Sequence, residues 1–185
     1  MSFTDRLNAI LPRLISDDFL QSEGLGNEIA FYIFDYPPEE ELRVRDHINF
    51  VHKQIPSLKP GVRVNQVNLL DLILEYLKDR KILDVSFKKQ LKEGDEALFK
   101  ALAAPLHESR LAKVFHDAAK PEEHDLVLVS GVGSVYPLLR THTLLNNLHT
   151  HMGSTPLVMF FPGRYDGQSL RLFGRIKDDN YYRAF

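Results

Sequence analysis

The sequence predicts an α/β fold, an open and mostly parallel sheet of about five strands with helices on both faces. Three observations carry that reading. Residues 126–129 (LVLV) and 157–161 (LVMFF) are short, unbroken apolar runs, the pattern of strands buried on both sides. Between them, Gly131 and Gly133 permit a tight turn and Pro137 fits the first turn of a helix over 138–149, which Gly153 and Pro156 end. A strand–turn–helix–strand unit of this kind joins two parallel strands by a crossover. The rest of the chain also alternates strand and helix, with no linker, so residues 1–185 read as one α/β domain.

Taken in order, Phe3, Leu7, Ile10, Leu11 and Leu14 recur at helical spacing, with Ser2 or Thr4 available as a cap. Pro12 falls inside that pattern, so the helix ends near Leu11 or bends there. Gly24 to Asn27 form a loop, and residues 29–34 are rich in strand formers; the run 35–38 (DYPP) ends that strand. Residues 39–55 are predicted helical. Three glutamates stand at the positive end of its dipole, and Val44, Ile48, Val51 and Ile55 form a buried stripe. Pro60 and Gly61 turn the chain into a strand over 62–67, and Asn68 caps an apolar helix over 69–80. Residues 86–120 are charged with alternating sign, the pattern of solvated helices, here two, broken near Gly94 or Pro105. After residue 161 a turn-rich segment leads to an edge strand over 169–173 and an aromatic tail over 181–185.

The chain's 185 residues carry 23 Lys and Arg against 25 Asp and Glu, a net charge of -2. That balance argues against a protein whose main work is gripping nucleic acid; direct contact through arginines would need a local patch and a strong salt dependence. With no Cys, disulfides, thiolate zinc sites and cysteine nucleophiles are excluded. No apolar run is long enough to span a bilayer, and residues 1–20 lack a secretory pattern, so the expected location is the cytoplasm.

Candidate chemistry is sparse. Gly131, Gly133 and Ser134 follow a strand, where bare backbone N–H groups attract phosphate, but a third glycine and a P-loop lysine are both missing. A tight packing turn is the plainer account, with a degenerate nucleotide- or phosphate-sensing loop as the alternative. His142, His149 and His151 invite a metal. However, two turns of helix separate His142 from His149 by about 10 Å, so packing or capping roles are expected and no metal site is assigned. Asp35 stands where open α/β sheets place ligands, yet Asp before Tyr-Pro-Pro is ordinary turn or cap chemistry. Ser130 and Ser134 lack the GxSxG context of a nucleophile elbow. No catalytic residue or cofactor is expected. Arg140, Arg164, Arg171 and Arg183, with Tyr165, Tyr181 and Tyr182, form the best partner-binding candidates, because Arg and Tyr are enriched where proteins meet; Arg175 lies in the same third.

Several longer strings resemble the BrxB family, a component of bacteriophage-exclusion (BREX) defence systems. They are GLGNE at 24–28 leading to FYIFDYP at 31–37, GVG at 131–133 with YPLLRTH at 136–142, LLNNL at 144–148, FFPGRYDGQSLRLFG at 160–174 and DNYYRAF at 179–185. The match runs in order over nearly the whole chain, with residues 86–123 carrying none of it. The resemblance implies a small, non-catalytic cytoplasmic component acting beside a methyltransferase, a large ATPase and the phosphatase-like PglZ protein, with PglZ the first partner to expect. It brings no catalytic residues with it.

Overall fold

A computed structural model describes residues 2–21, 30–148, 151–166, 169–178 and 183–184. Helix α1 (Phe3–Asn8) opens on a capping box: the Ser2 hydroxyl accepts from the Asp5 N–H, and the Asp5 carboxylate accepts from the Ser2 N–H. The predicted first helix breaks at Ala9, earlier than Leu11, and resumes as α2 (Ile10–Leu14). The pyrrolidine of Pro12 would meet the carbonyl of Asn8, four residues back, in a continuous helix, so the break falls between them. A third short helix, α3 (Asp17–Leu20), follows.

Strand β1 (Phe31–Tyr36) runs two residues past its predicted end; position 29, its predicted start, lies outside the described residues. Tyr36 precedes Pro37, which holds it extended, so the strand continues to the proline rather than stopping at Asp35. A single 3₁₀ turn, Pro38–Glu40, leads into α4 (Glu41–Leu58), which buries Val44, Ile48, Val51 and Ile55 as predicted. Strand β2 (Val64–Asn68) delivers Asn68 to cap α5 (Leu69–Asp79), its side-chain oxygen accepting from the N–H groups of Leu70 and Asp71. The charged stretch holds three helices rather than two: α6 (Leu83–Glu93), α7 (Asp95–Ala103) and α8 (Glu108–Ala119). Both suspected breakers act, Gly94 with φ 84° between the first pair and Pro105 between the second.

Strand β3 (Leu126–Ser130) is followed by the largest correction. Pro137 does not start a helix over 138–149. One turn, α9 (Val132–Val135), forms directly after Gly131, and α10 (Thr141–Leu148) begins only at Thr141. Tyr136 is extended (ψ 137°), the conformation that a following proline favours, and this separates the two helices. Strand β4 (Leu157–Tyr165) is nine residues long; β5 (Leu170–Leu172), β6 (Ile176–Asp178) and β7 (Arg183–Ala184) complete the strands.

The sheet order is β2-β3-β4-β1-β7, with every neighbouring pair parallel. The predicted edge strand over 169–173 does not join that path. Instead β5 pairs antiparallel with the far half of β4, and β6 pairs antiparallel with β5. Alternate residues of each central strand feed two separate cores. On one face Leu126, Leu128, Val158, Phe160 and Phe34 pack beneath α1 to α4; on the other, Val127, Val129, Leu157, Met159 and Phe161 pack beneath α5 and α7 to α10. This double burial is why β3 and β4 carry no polar alternation.

The Asn68 cap and Gly131 interlock: Gly131 has φ 78°, and a Cβ there would lie 2.5 Å from the Asn68 side-chain oxygen. Gly131→Ala is therefore expected to cost about 2–3 kcal/mol in urea unfolding and Asn68→Ala about 1 kcal/mol. The double variant should cost less than the sum, because removing Asn68 relieves the clash.

Candidate functional site

In an open α/β sheet the crevice at the carboxyl edge lies where successive connections leave for opposite faces. Here that point is between β1, whose connection becomes α4, and β3, whose connection becomes α9 and α10, with β4 between them. Two adjoining clefts open there and share Pro38 and Phe173. The larger, about 390 Å³, lies among Arg6, Asp35, Gly163 and Arg164; the smaller, about 180 Å³, among Glu41, Gly133, Ser134 and Pro162.

In the larger cleft Arg6 and Asp35 engage each other, while Glu39 and Arg164 on the same cleft are exposed. The Arg6 guanidinium donates to both the Asp35 carboxylate (2.5 Å) and the Asp35 carbonyl (3.0 Å), and the second carboxylate oxygen accepts from the Tyr165 N–H (2.9 Å). Asp35 is thus neither a cap nor a turn residue, as its sequence context suggested. It is a clamp within β1 that ties α1 to β4, its side chain only 15% exposed. Arg6 also lies over the Phe34 ring at 5.0 Å. Between the two clefts, the hydroxyl of buried Tyr36, which lines the larger, donates to Glu41 of the smaller at 2.5 Å, and the other Glu41 oxygen accepts from Arg45 at 3.2 Å. Burial, then the Glu41 carboxylate, push the Tyr36 phenol far above its ordinary range.

The glycine turn has a packing role. Gly131 presses on Asn68, and a Cβ on Gly133 would meet the Phe173 ring at 2.9 Å and Pro162 at 3.0 Å. Phe173 in turn stands edge-on to Tyr136, ring centres 6.5 Å apart. Ser134 is exposed, and its N–H donates to the Gly131 carbonyl. The carboxylate of Glu41 on the same cleft's wall opposes an anionic ligand, so the geometry disfavours phosphate at this turn. Among the described residues no three His, Asp or Glu side chains cluster as a metal site; His149 lies outside them.

The partner-binding candidates divide. Arg164 and Arg171 are exposed on the β4–β5 hairpin and are direct cross-strand partners; Tyr165, half-buried, packs its ring against the second core. Arg140 is exposed in the loop before α10, away from that pair. Tyr181 and Tyr182 lie outside the described residues, and Arg183 is described only as part of β7, beside Tyr32 of β1. Sequence reasoning missed Arg6 and Glu41. Arg6 meets its partner 29 residues away, and no local spacing announces that contact.

The architecture is that of a doubly wound α/β protein whose switch-point crevice is walled by its own ion pairs and ring contacts. Within that class the chain belongs to the BrxB family: the family described as "BREX protein BrxB" matches residues 65–185. Two relatives carry the same description. The one from Bacillus cereus (strain H3081.97) is 41% identical, covering 98% of this chain and 95% of its own. The one from Escherichia coli O9:H4 (strain HS) is 37% identical, covering 97% and 88%. No solved structure matches the chain. No helix among the described residues is long and apolar enough to cross a membrane.

Two outcomes test this site. Tyr36→Phe leaves Glu41 short of a buried donor and should cost about 1–2 kcal/mol near neutral pH by chemical denaturation. Because the folded state raises the Tyr36 pKa above its ordinary value of 10.0, it binds a proton that the unfolded chain loses at alkaline pH. Its contribution is therefore intact below pH 10 and lost above it, by up to about 1.4 kcal/mol per pH unit, an alkaline slope that Tyr36→Phe should lack. Separately, a Cβ at Gly163 would sit 2.1 Å from the Arg171 carbonyl. Gly163→Ala should cost about 3 kcal/mol or more, read from the thermal midpoint, and displace β5.

Proposed function

We propose that this protein is a non-catalytic interaction subunit of a BREX antiviral system, a rigid α/β platform that acts in the cytoplasm and docks PglZ, the phosphatase-like component, or another subunit of the same system. The family supports membership in the system. One structural observation carries the docking role: beside the clefts at the fold's ligand position, the glycine turn and the Asp35 carboxylate are already engaged from within. Asn68 occupies the approach to Gly131, Phe173 and Pro162 occupy that to Gly133, and Arg6 neutralises Asp35. The arginines of the outer hairpin, by contrast, face solvent. A site meant for chemistry keeps perturbed groups open to a substrate, whereas here they are spent on internal contacts.

The test is reconstitution. The purified chain mixed with PglZ should co-elute on a sizing column and give a dissociation constant of about 1 µM or tighter by calorimetry. If neither PglZ nor any other subunit of the system binds at micromolar concentration, the docking role is wrong.

A further inference from the structure

The antiparallel register past the end of the parallel sheet places like charges side by side. Arg164 on β4 is the direct partner of Arg171 on β5, and Arg171 is in turn the direct partner of Lys177 on β6. Cross-strand partners share one face of a sheet, and neighbouring strands lie about 4.8 Å apart. The two arginines are exposed, while the intervening positions Leu170 and Leu172 turn inward to the core. The two arginines therefore stand side by side on one face, one strand spacing apart. Asp166 approaches one of them, Arg171, at 3.5 Å, and among the described residues no carboxylate pairs with Arg164.

Like charges directly opposite one another destabilise a sheet. Local stability alone would favour a carboxylate at position 164, where it would pair with Arg171 across the strands. An external anion removes the same repulsion. Carboxylates three or four residues apart on a helix stand about 5–6 Å from each other, close to the spacing between strands. Nucleic acid is the poorer fit: the chain's net charge is -2, and the neighbouring Phe173, 38% exposed, supplies the aromatic contact typical of protein partners.

We infer that the surface around the Arg164–Arg171 pair is the docking surface for a carboxylate-rich protein segment, such as the acidic face of a helix on another BREX subunit. This rests on the docking role proposed above and adds to it the surface and the chemistry of the partner.

The test uses the tagged full chain expressed with the complete defence cluster, followed by capture and thermal melting of the purified protein. Arg164→Glu should reduce the captured subunit at least tenfold while leaving the thermal midpoint unchanged or raising it by about 1–3 °C, because repulsion becomes attraction across the strand pair. Arg164→Gln should give an intermediate loss, and Lys53→Glu on α4, the same change in charge on the opposite layer, should capture normally. Wild-type capture should weaken as salt is raised.

If wild type captures a subunit and Arg164→Glu captures it equally, this surface is wrong and docking lies elsewhere on the chain. If wild type captures nothing, the docking role fails and this inference with it. Capture abolished by nuclease would make the counterpart nucleic acid and overturn the acidic-protein assignment. A midpoint lowered by Arg164→Glu would remove the like-charge premise.

Discussion

Strand β4 changes neighbours partway along its length, and the carboxyl edge is arranged around that change. Its first half, Leu157 to Phe161, is buried on both faces and lies between β3 and β1. Pro162 then brings no N–H to continue the parallel ladder, and its carbonyl instead accepts from the Phe173 N–H at 2.8 Å. Gly163 lets the Arg171 carbonyl approach to a distance that any side chain would prevent. The strand leaves the parallel sheet here and enters an antiparallel hairpin. That exit sends the Tyr165 N–H to Asp35, the Phe173 ring onto Gly133, and Arg164 with Arg171 to solvent. A strand pairing only in parallel would have none of these consequences.

Charge at this edge is distributed unevenly in a way that stability does not demand. Asp35 has two donors, and Glu41 has a phenol and a guanidinium, so these half-buried acids are satisfied. The outer arginines are left beside one another. Because the whole chain is slightly acidic, any attraction it exerts through them is local, acting within about a Debye length of 8–10 Å rather than steering a polyanion from afar.

How much of this was legible in sequence depended on whether a residue's role is set by its neighbours in the chain. Double burial made β3 and β4 readable as unbroken apolar runs, and the stripe of α4 and the Asn68 cap followed from spacing alone. Proline was read correctly as punctuation, but its effect fell on the wrong side in three places: the break at Ala9 before Pro12, the persistence of β1 through Tyr36, and the gap between α9 and α10 around Pro137. In the last two cases proline acts on the residue before it by holding it extended, and a helix-start signal at the proline itself points the other way. Asp35 could not be read at all, because its three contacts come from residues 29 and 130 positions away. Arg164 and Arg171 were noticed as part of an arginine-rich third, yet the register that sets them opposite one another depends on where the hairpin turns.

The pair of arginines would not by itself make a strong interface. Rim charges govern approach and register, while most binding energy comes from a desolvated centre with an aromatic or Arg anchor. Phe173 is placed to supply that centre. It follows Leu172 directly, holds a left-handed φ of 54°, packs on Gly133 and Tyr136 beneath, and keeps part of its ring in solvent. A large aromatic residue at positive φ is strained, and the same β4 exit that exposes the arginines places it there. A partner that met the arginines alone would be sensitive to salt and weak. One that also covered Phe173 would bury apolar surface beside the charged pair, and would then have a reason to bind this edge in preference to any other basic patch.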